Sequence, residues 1–160
     1  MITFLEYKEN LAKKYVCLTF TDETNAKLRQ YATDNGFNLT VSYDDKPQKA
    51  EDFDFHITVF YTSSEADAKD VGTVDLEPFE VKISGFELLG DENDVPVLLV
   101  QRDKILNTIR KEFVFIGYED KWPDWKPHIS LSYQRKQYAK PKKLPNFPIM
   151  VNKLSIENQS

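Results

Sequence analysis

Phe55-His56-Ile57-Thr58-Val59-Phe60-Tyr61 and Lys126-Pro127-His128-Ile129-Ser130-Leu131-Ser132-Tyr133 hold both histidines of the chain, each in the same pattern. A histidine, an apolar residue, a small hydroxyl and a second apolar residue alternate with period two, as in a half-buried strand. His56 and Thr58 therefore share one face, while Ile57 and Val59 share the other. His128 and Ser130 separate from Ile129 and Leu131 in the same way. Two such strands place two imidazoles and two hydroxyls on a common surface. An imidazole ordinarily titrates at about 6.5, so one neutral and one protonated ring can divide proton removal and proton donation near neutrality. The hydroxyls can donate hydrogen bonds to non-bridging phosphate oxygens. His56, Thr58, His128 and Ser130 are the candidate catalytic residues.

Working outward, the chain reads as alternating short elements. A short N-terminal helix or arm precedes a strand at Tyr15–Phe20. Thr21-Asp22 can cap a helix from about Glu23 to Asn35, closed by Gly36, with Ala26, Leu28, Tyr31 and Ala32 at its apolar positions. After a polar stretch (43–54) comes the first histidine strand, Phe55–Tyr61. Thr73–Leu76, Glu80–Phe86 and Val95–Gln101 read as further strands, with a turn at Asp91–Asp94. A second helix spans about Asp103 to Phe113, with Ile105, Leu106, Ile109 and Phe113 on one stripe. The second histidine strand runs over His128–Tyr133, and Ile149–Glu157 closes the chain. Strand, helix, histidine strand occurs twice, a pseudo-repeat of elements. It predicts an α+β fold with two similar lobes in one domain, each giving one histidine to a central cleft.

Length and composition narrow the functional classes. The 160 residues suffice for one domain with a proper core, and 41% hydrophobic with 29% charged residues is ordinary for a globular protein. Cys17, the one cysteine, excludes an internal disulfide and sits in the apolar run Tyr15–Phe20 as inert packing. No apolar run has the length of a membrane span, and no signal-peptide core is present, so a cytoplasmic location is expected. A net charge of −5 argues against a sequence-independent binder of long duplex nucleic acid. Between Lys121 and Lys143, however, seven Lys or Arg stand against one acid, Asp124. That segment flanks His128 and suits a small anionic ligand, or forms a solvated lysine-rich loop. A metal site finds few ligands: two His, one Cys and no carboxylates at ligand spacing around either histidine. No metal and no cofactor is expected. Asp52 and Asp54 are candidate partners for His56.

The two H-x-[ST]-x tetrapeptides, about seventy residues apart, resemble the 2H phosphoesterase superfamily. That group includes RNA 2′,3′-cyclic phosphodiesterases, 2′-5′ RNA ligase-like proteins and enzymes that cut 2′-5′ oligoadenylates. The contexts of both histidines look closest to small phage members, the anti-CBASS nucleases, which destroy cyclic oligonucleotide signals of bacterial defence. The resemblance implies the same bilobal fold and assigns the phosphate-holding role to Thr58 and Ser130. It also implies a base-stacking role for Tyr15 and a base contact for Glu157, on the last strand. The expected activity is metal-independent hydrolysis of a 3′-5′-linked cyclic di- or trinucleotide messenger. The rivals are an enzyme opening 2′,3′-cyclic phosphates or cutting 2′-5′ oligoadenylates, and a non-catalytic module that sequesters nucleotides. Which histidine is acid and which is base stays open, as does the oligomeric state.

Further residues are candidates for the substrate. Trp122 and Trp125, just before His128, offer indoles that either stack on a base or anchor a loop. Lys126 lies two residues before His128 and is the first candidate for a second phosphate, ahead of Arg135 and Lys136. Tyr61 and Tyr133 follow their histidines at an odd offset of five. In a regular strand that offset turns them to the opposite face, into the core.

Overall fold

The strands of this chain are made by β-branched and aromatic runs, and its helices begin where a side chain can cap them. The computed structural model describes residues 12–64, 72–120 and 123–159. In chain order its elements are β1 (Ala12–Phe20), α1 (Asp22–Asp34), β2 (Ile57–Ser64), β3 (Gly72–Val81), β4 (Ile83–Leu89), β5 (Val95–Val100), α2 (Lys104–Phe115), β6 (His128–Ser130) and β7 (Ile149–Gln159). The Thr21 hydroxyl accepts from the Thr24 amide at 3.2 Å, and the Asp103 carboxylate accepts from the Leu106 amide at 3.0 Å. These bonds satisfy amides that the first helical turn leaves without partners. Gly36 follows α1 with φ of 79°, a left-handed conformation that a Cβ would disfavour. Both helix starts agree with the sequence expectation.

All pairings are antiparallel, in one seven-stranded sheet of order β3-β7-β1-β2-β6-β5-β4. The fold is α+β. The units β1-α1-β2 and β5-α2-β6 meet at β2 and β6, so the repeated elements form the two halves of a continuous sheet. One row of directly paired residues crosses every strand in spatial order: Val74, Leu154, Leu18, Ile57, Ile129, Leu98 and Phe86. Leu18, Ile57, Ile129 and Leu98, at its centre, are fully buried. Leu28 and Ala32 from α1, with Leu106 and Phe113 from α2, join that row in one hydrophobic core. Each fully buried Leu or Ile side chain stabilises the fold by roughly 1.5–3 kcal/mol. Residues one step away along each strand point to the opposite, helix-free face. That face carries the histidines.

Several boundaries differ from the sequence expectation. Thr73–Leu76 and the start of Glu80–Phe86 belong to one strand, β3, interrupted by a register shift between Asp75 and Phe79. Pro78 lies in that interval. Its missing N–H is tolerated because β3 is an edge strand. The second histidine strand stops at Ser130 instead of reaching Tyr133. On α2, Ile105 lies outside the buried stripe, and Arg110 takes a buried place beside Leu106 and Phe113. The expected N-terminal helix or arm and Trp122 lie outside the described residues. Among the described residues no helix is long and apolar enough to cross a membrane.

Ile129 has no exposed surface at the junction of the two halves. Ile129→Ala should cost about 2–5 kcal/mol, lowering the urea midpoint without changing the slope of the transition.

Candidate active site

Pairing of Ile57 with Ile129 sets the site. Antiparallel register advances one strand as the other retreats, so Thr58 lies on the side of His128 and His56 on the side of Ser130. The result is a pseudo-two-fold square with histidines on one diagonal and hydroxyls on the other. It lines a cleft of about 510 Å³ together with Tyr15, Tyr43, Tyr61 and Tyr133. The structure thus brings together five of the candidates: His56, Thr58, His128, Ser130 and Tyr15.

Both imidazoles are held the same way. His56 Nδ1 lies 3.0 Å from the carbonyl oxygen of Asp54, and His128 Nδ1 lies 2.9 Å from that of Lys126. A carbonyl oxygen only accepts, so each Nδ1 carries the proton and donates it. Nε2 is then the nitrogen free to accept or release a proton toward the cleft. The expected acidic partner of His56 proves to be the backbone of Asp54, whose carboxylate is 4.0 Å away and largely exposed. Both supporting carbonyls stand two residues upstream, immediately before the strand begins.

The Tyr15 hydroxyl lies 2.7 Å from His56 Nε2 and 3.2 Å from Thr58 Oγ1. With His56 neutral, Tyr15 donates to Nε2 and the Thr58 hydroxyl donates to Tyr15. A substrate oxygen approaching His56 would take the place of this phenol oxygen. Burial raises the Tyr15 hydroxyl well above the ordinary phenol range, and neighbouring Cys17 adds to the effect. The Cys17 thiol lies beneath the site, and burial pushes it up to about 12, so it remains protonated and inert as a nucleophile.

Tyr61 and Tyr133 correct the expectation that an odd offset sends them into the core. The β1–β2 register slips opposite Val16 and Cys17 of β1, because Val16 faces Phe60 while Cys17 faces Thr58. Val59 is the extra residue of a bulge, and Val59 and Phe60 are both buried in succession. The inserted residue inverts the alternation, leaving Tyr61 60% exposed on the cleft side. After β6 the alternation also fails, since Leu131 and Ser132 are consecutive buried residues. Ser132 Oγ donates to the Asn38 carbonyl at 2.6 Å, which turns the chain and returns Tyr133 to the cleft.

The remaining candidates are placed elsewhere. Trp125 donates its indole N–H to the Thr58 carbonyl at 3.0 Å, anchoring its loop to β2 instead of lining the cleft. The Lys126 ammonium pairs with Glu87 at 2.7 Å on the surface, outside the cleft lining. Of the two other cations, Arg135 pairs with Asp94 at 3.2 Å and Lys136 lies over the Tyr138 ring. Glu157 is exposed and pairs with Tyr15 across β7 and β1, on the cleft face but outside the lining. Tyr43, which the sequence reading passed over, stands 83% exposed at the cleft and meets Tyr133 edge to face at 5.6 Å. It lies in a loop of polar residues with no periodicity to mark it. Among the described residues, no three His, Cys, Asp or Glu side chains converge to hold a metal.

Solved structures of E. coli LigT, one complexed with 3′-AMP and one with phosphate, share this architecture at a TM-score of 0.50 and 12% identity. The alignments cover 94% of this chain and 89% and 88% of the LigT chains. No curated protein sequence matches. The sheet, the paired histidine strands and their facing hydroxyls define a 2H phosphoesterase, a phosphodiesterase by type. The family model described as anti-CBASS protein Acb1 matches residues 12–158, and the chain belongs to that family.

The raised Cys17 and Tyr133 groups predict alkaline sensitivity. The folded chain holds these protons more tightly than the unfolded chain, so their stabilisation is present below the ordinary thiol and phenol pKa values. It is lost as pH rises through the folded values of about 12. Urea midpoints should therefore fall above pH of about 9, and Cys17→Ala should make the initial fall shallower.

Proposed function

We propose that this protein is a metal-independent phosphodiesterase that hydrolyses 3′-5′-linked cyclic di- or trinucleotide messengers in the cytoplasm of a bacterial host. The observation that carries this reading is the pair of Nδ1-anchored imidazoles presenting Nε2 to one cleft, each beside a hydroxyl. Such a pair performs both proton transfers of phosphodiester cleavage. One imidazole takes the proton of the ribose 2′-hydroxyl as that oxygen attacks phosphorus. The other gives its proton to the departing 5′-oxygen, leaving a 2′,3′-cyclic phosphate and an opened ring. Water then attacks phosphorus with the two roles exchanged, as microscopic reversibility suggests. Thr58 and Ser130 donate to the non-bridging oxygens, whose charge grows in the transition state.

Aromatic placement supports a small ligand with more than one base. Tyr15 and Tyr61 meet edge to face at 5.8 Å, and Tyr43 and Tyr133 at 5.6 Å, as two separate pairs along the cleft. Base–aromatic stacking contributes roughly 1–3 kcal/mol per base. The pairing of Glu157 with Tyr15 across β7 and β1 supports a role for its carboxylate in accepting from a base edge. The family's anti-CBASS description is consistent with such a ligand.

Product analysis of a mixed 3′-5′-linked cyclic GMP–AMP in excess EDTA tests the reading. Linear phosphorylated product is expected, and His56→Ala combined with His128→Ala should abolish turnover while leaving binding measurable. Full activity in that double variant would overturn the site. An intact messenger, with 2′,3′-cyclic RNA ends opened, would move the substrate to the rival class.

Tyr43 is almost wholly exposed, so Tyr43→Ala should leave the unfolding midpoint unchanged. Its KM should rise about tenfold with kcat nearly constant, as loss of one stacking contact requires.

A further inference from the structure

At the β2 bulge two consecutive carbonyls, those of Thr58 and Val59, accept from side chains in the second half of the molecule. Trp125 Nε1 donates to the Thr58 oxygen at 3.0 Å. Arg110 Nη1 donates to the Val59 oxygen at 2.6 Å. Arg110 is 3% exposed, far more buried than an arginine ordinarily is, and its Nη2 pairs with Asp120 at 2.6 Å. Its guanidinium also lies over Phe60, at 4.2 Å, and over Trp125, at 5.0 Å. Burying a cation is costly unless bonds and charge compensate it; here Asp120 supplies the charge and the Val59 carbonyl of β2 accepts a bond.

The same loop touches the other motif. Arg102 donates to the carbonyls of Pro123 and Trp125, at 3.0 and 3.2 Å, and fixes the segment that precedes β6. The next carbonyl, that of Lys126, anchors His128 Nδ1. One loop thus sets the backbone of Thr58 through the Trp125 indole and the tautomer of His128 through Lys126.

We propose that Trp125 and Arg110 are positioning residues: they hold the β2 bulge so that Thr58 meets the phosphate opposite His128, the first residue of β6. This rests on the assignment of Thr58 to the phosphate. Neither residue touches substrate. Their contribution is made through the angle of the Thr58 hydroxyl, which matters most when charge develops on the phosphate oxygens.

The test is a double-mutant cycle on a cyclic dinucleotide, with kcat, KM and unfolding midpoint measured for each variant. Trp125→Phe removes the indole N–H and retains most of the ring. It should lower kcat about tenfold and leave KM within about twofold. Arg110→Lys keeps the charge but loses the fork that spans Val59 and Asp120, and should act in the same direction. In a Thr58→Ala background, Trp125→Phe should cost little more, because its route to the reaction is already gone. Leu28→Ala, in the core under α1, is the stability control: its midpoint falls while kcat measured well below the transition holds. Should Trp125→Phe and Thr58→Ala multiply independently, or Trp125→Phe leave kcat intact, the inference is overturned. Should Thr58→Ala itself leave kcat intact, the phosphate assignment fails and the inference with it.

Discussion

Ile57 and Ile129 face each other across the strands that join the two halves of the sheet. Both are fully buried, and a slip of either strand by one residue would carry its isoleucine to the opposite face and its histidine into the core. Hydrophobic burial therefore enforces the register, and the register places the chemistry. Thr58 comes to lie beside His128, and His56 beside Ser130, because antiparallel pairing around one central pair leaves no other arrangement. The apolar row from Val74 to Phe86 makes that choice cooperative across all seven strands.

A regular strand would satisfy the register but would not complete the cleft. The bulge at Val59 reverses the alternation after His56 and Thr58, so Phe60 enters the core and Tyr61 turns toward the cleft. A bulge disrupts the ladder, and a buried carbonyl without a donor costs about 1–3 kcal/mol. Arg110 and Trp125 remove that penalty from outside the strand. A buried arginine in the stripe of an otherwise apolar helix face has its physical explanation there.

Each histidine carries its own orienting device, a carbonyl two residues upstream, so both rings present the same nitrogen to the cleft. Symmetry of this kind suits a reaction whose two proton transfers exchange direction between its steps. The two halves differ in their neighbours. His56 meets the Tyr15 hydroxyl, which stands where a substrate oxygen would stand, and nothing among the described hydrogen bonds plays that part for His128.

Period-two alternation sufficed to show that His56, Thr58, His128 and Ser130 share one face, where they line one cleft, since each tetrapeptide is a local object whose faces follow from backbone geometry. The Thr21 helix cap was legible for the same reason. The tyrosines five residues beyond each histidine were misread because a bulge and a strand end break the alternation, at places where the chain bonds to distant partners: Arg110 and Trp125 at one, the Asn38 carbonyl at the other. Lys126 and Trp125 also looked like ligands from their position near His128. Their actual partners, Glu87 and the Thr58 carbonyl, lie 39 and 67 residues away. The sequence alone determined which residues can transfer protons and hold a phosphate, because strand alternation is intrinsic to the backbone. Only the tertiary structure decided which aromatics reach the cleft and which cations do not, because those choices depend on where buried carbonyls and charges find partners across the fold.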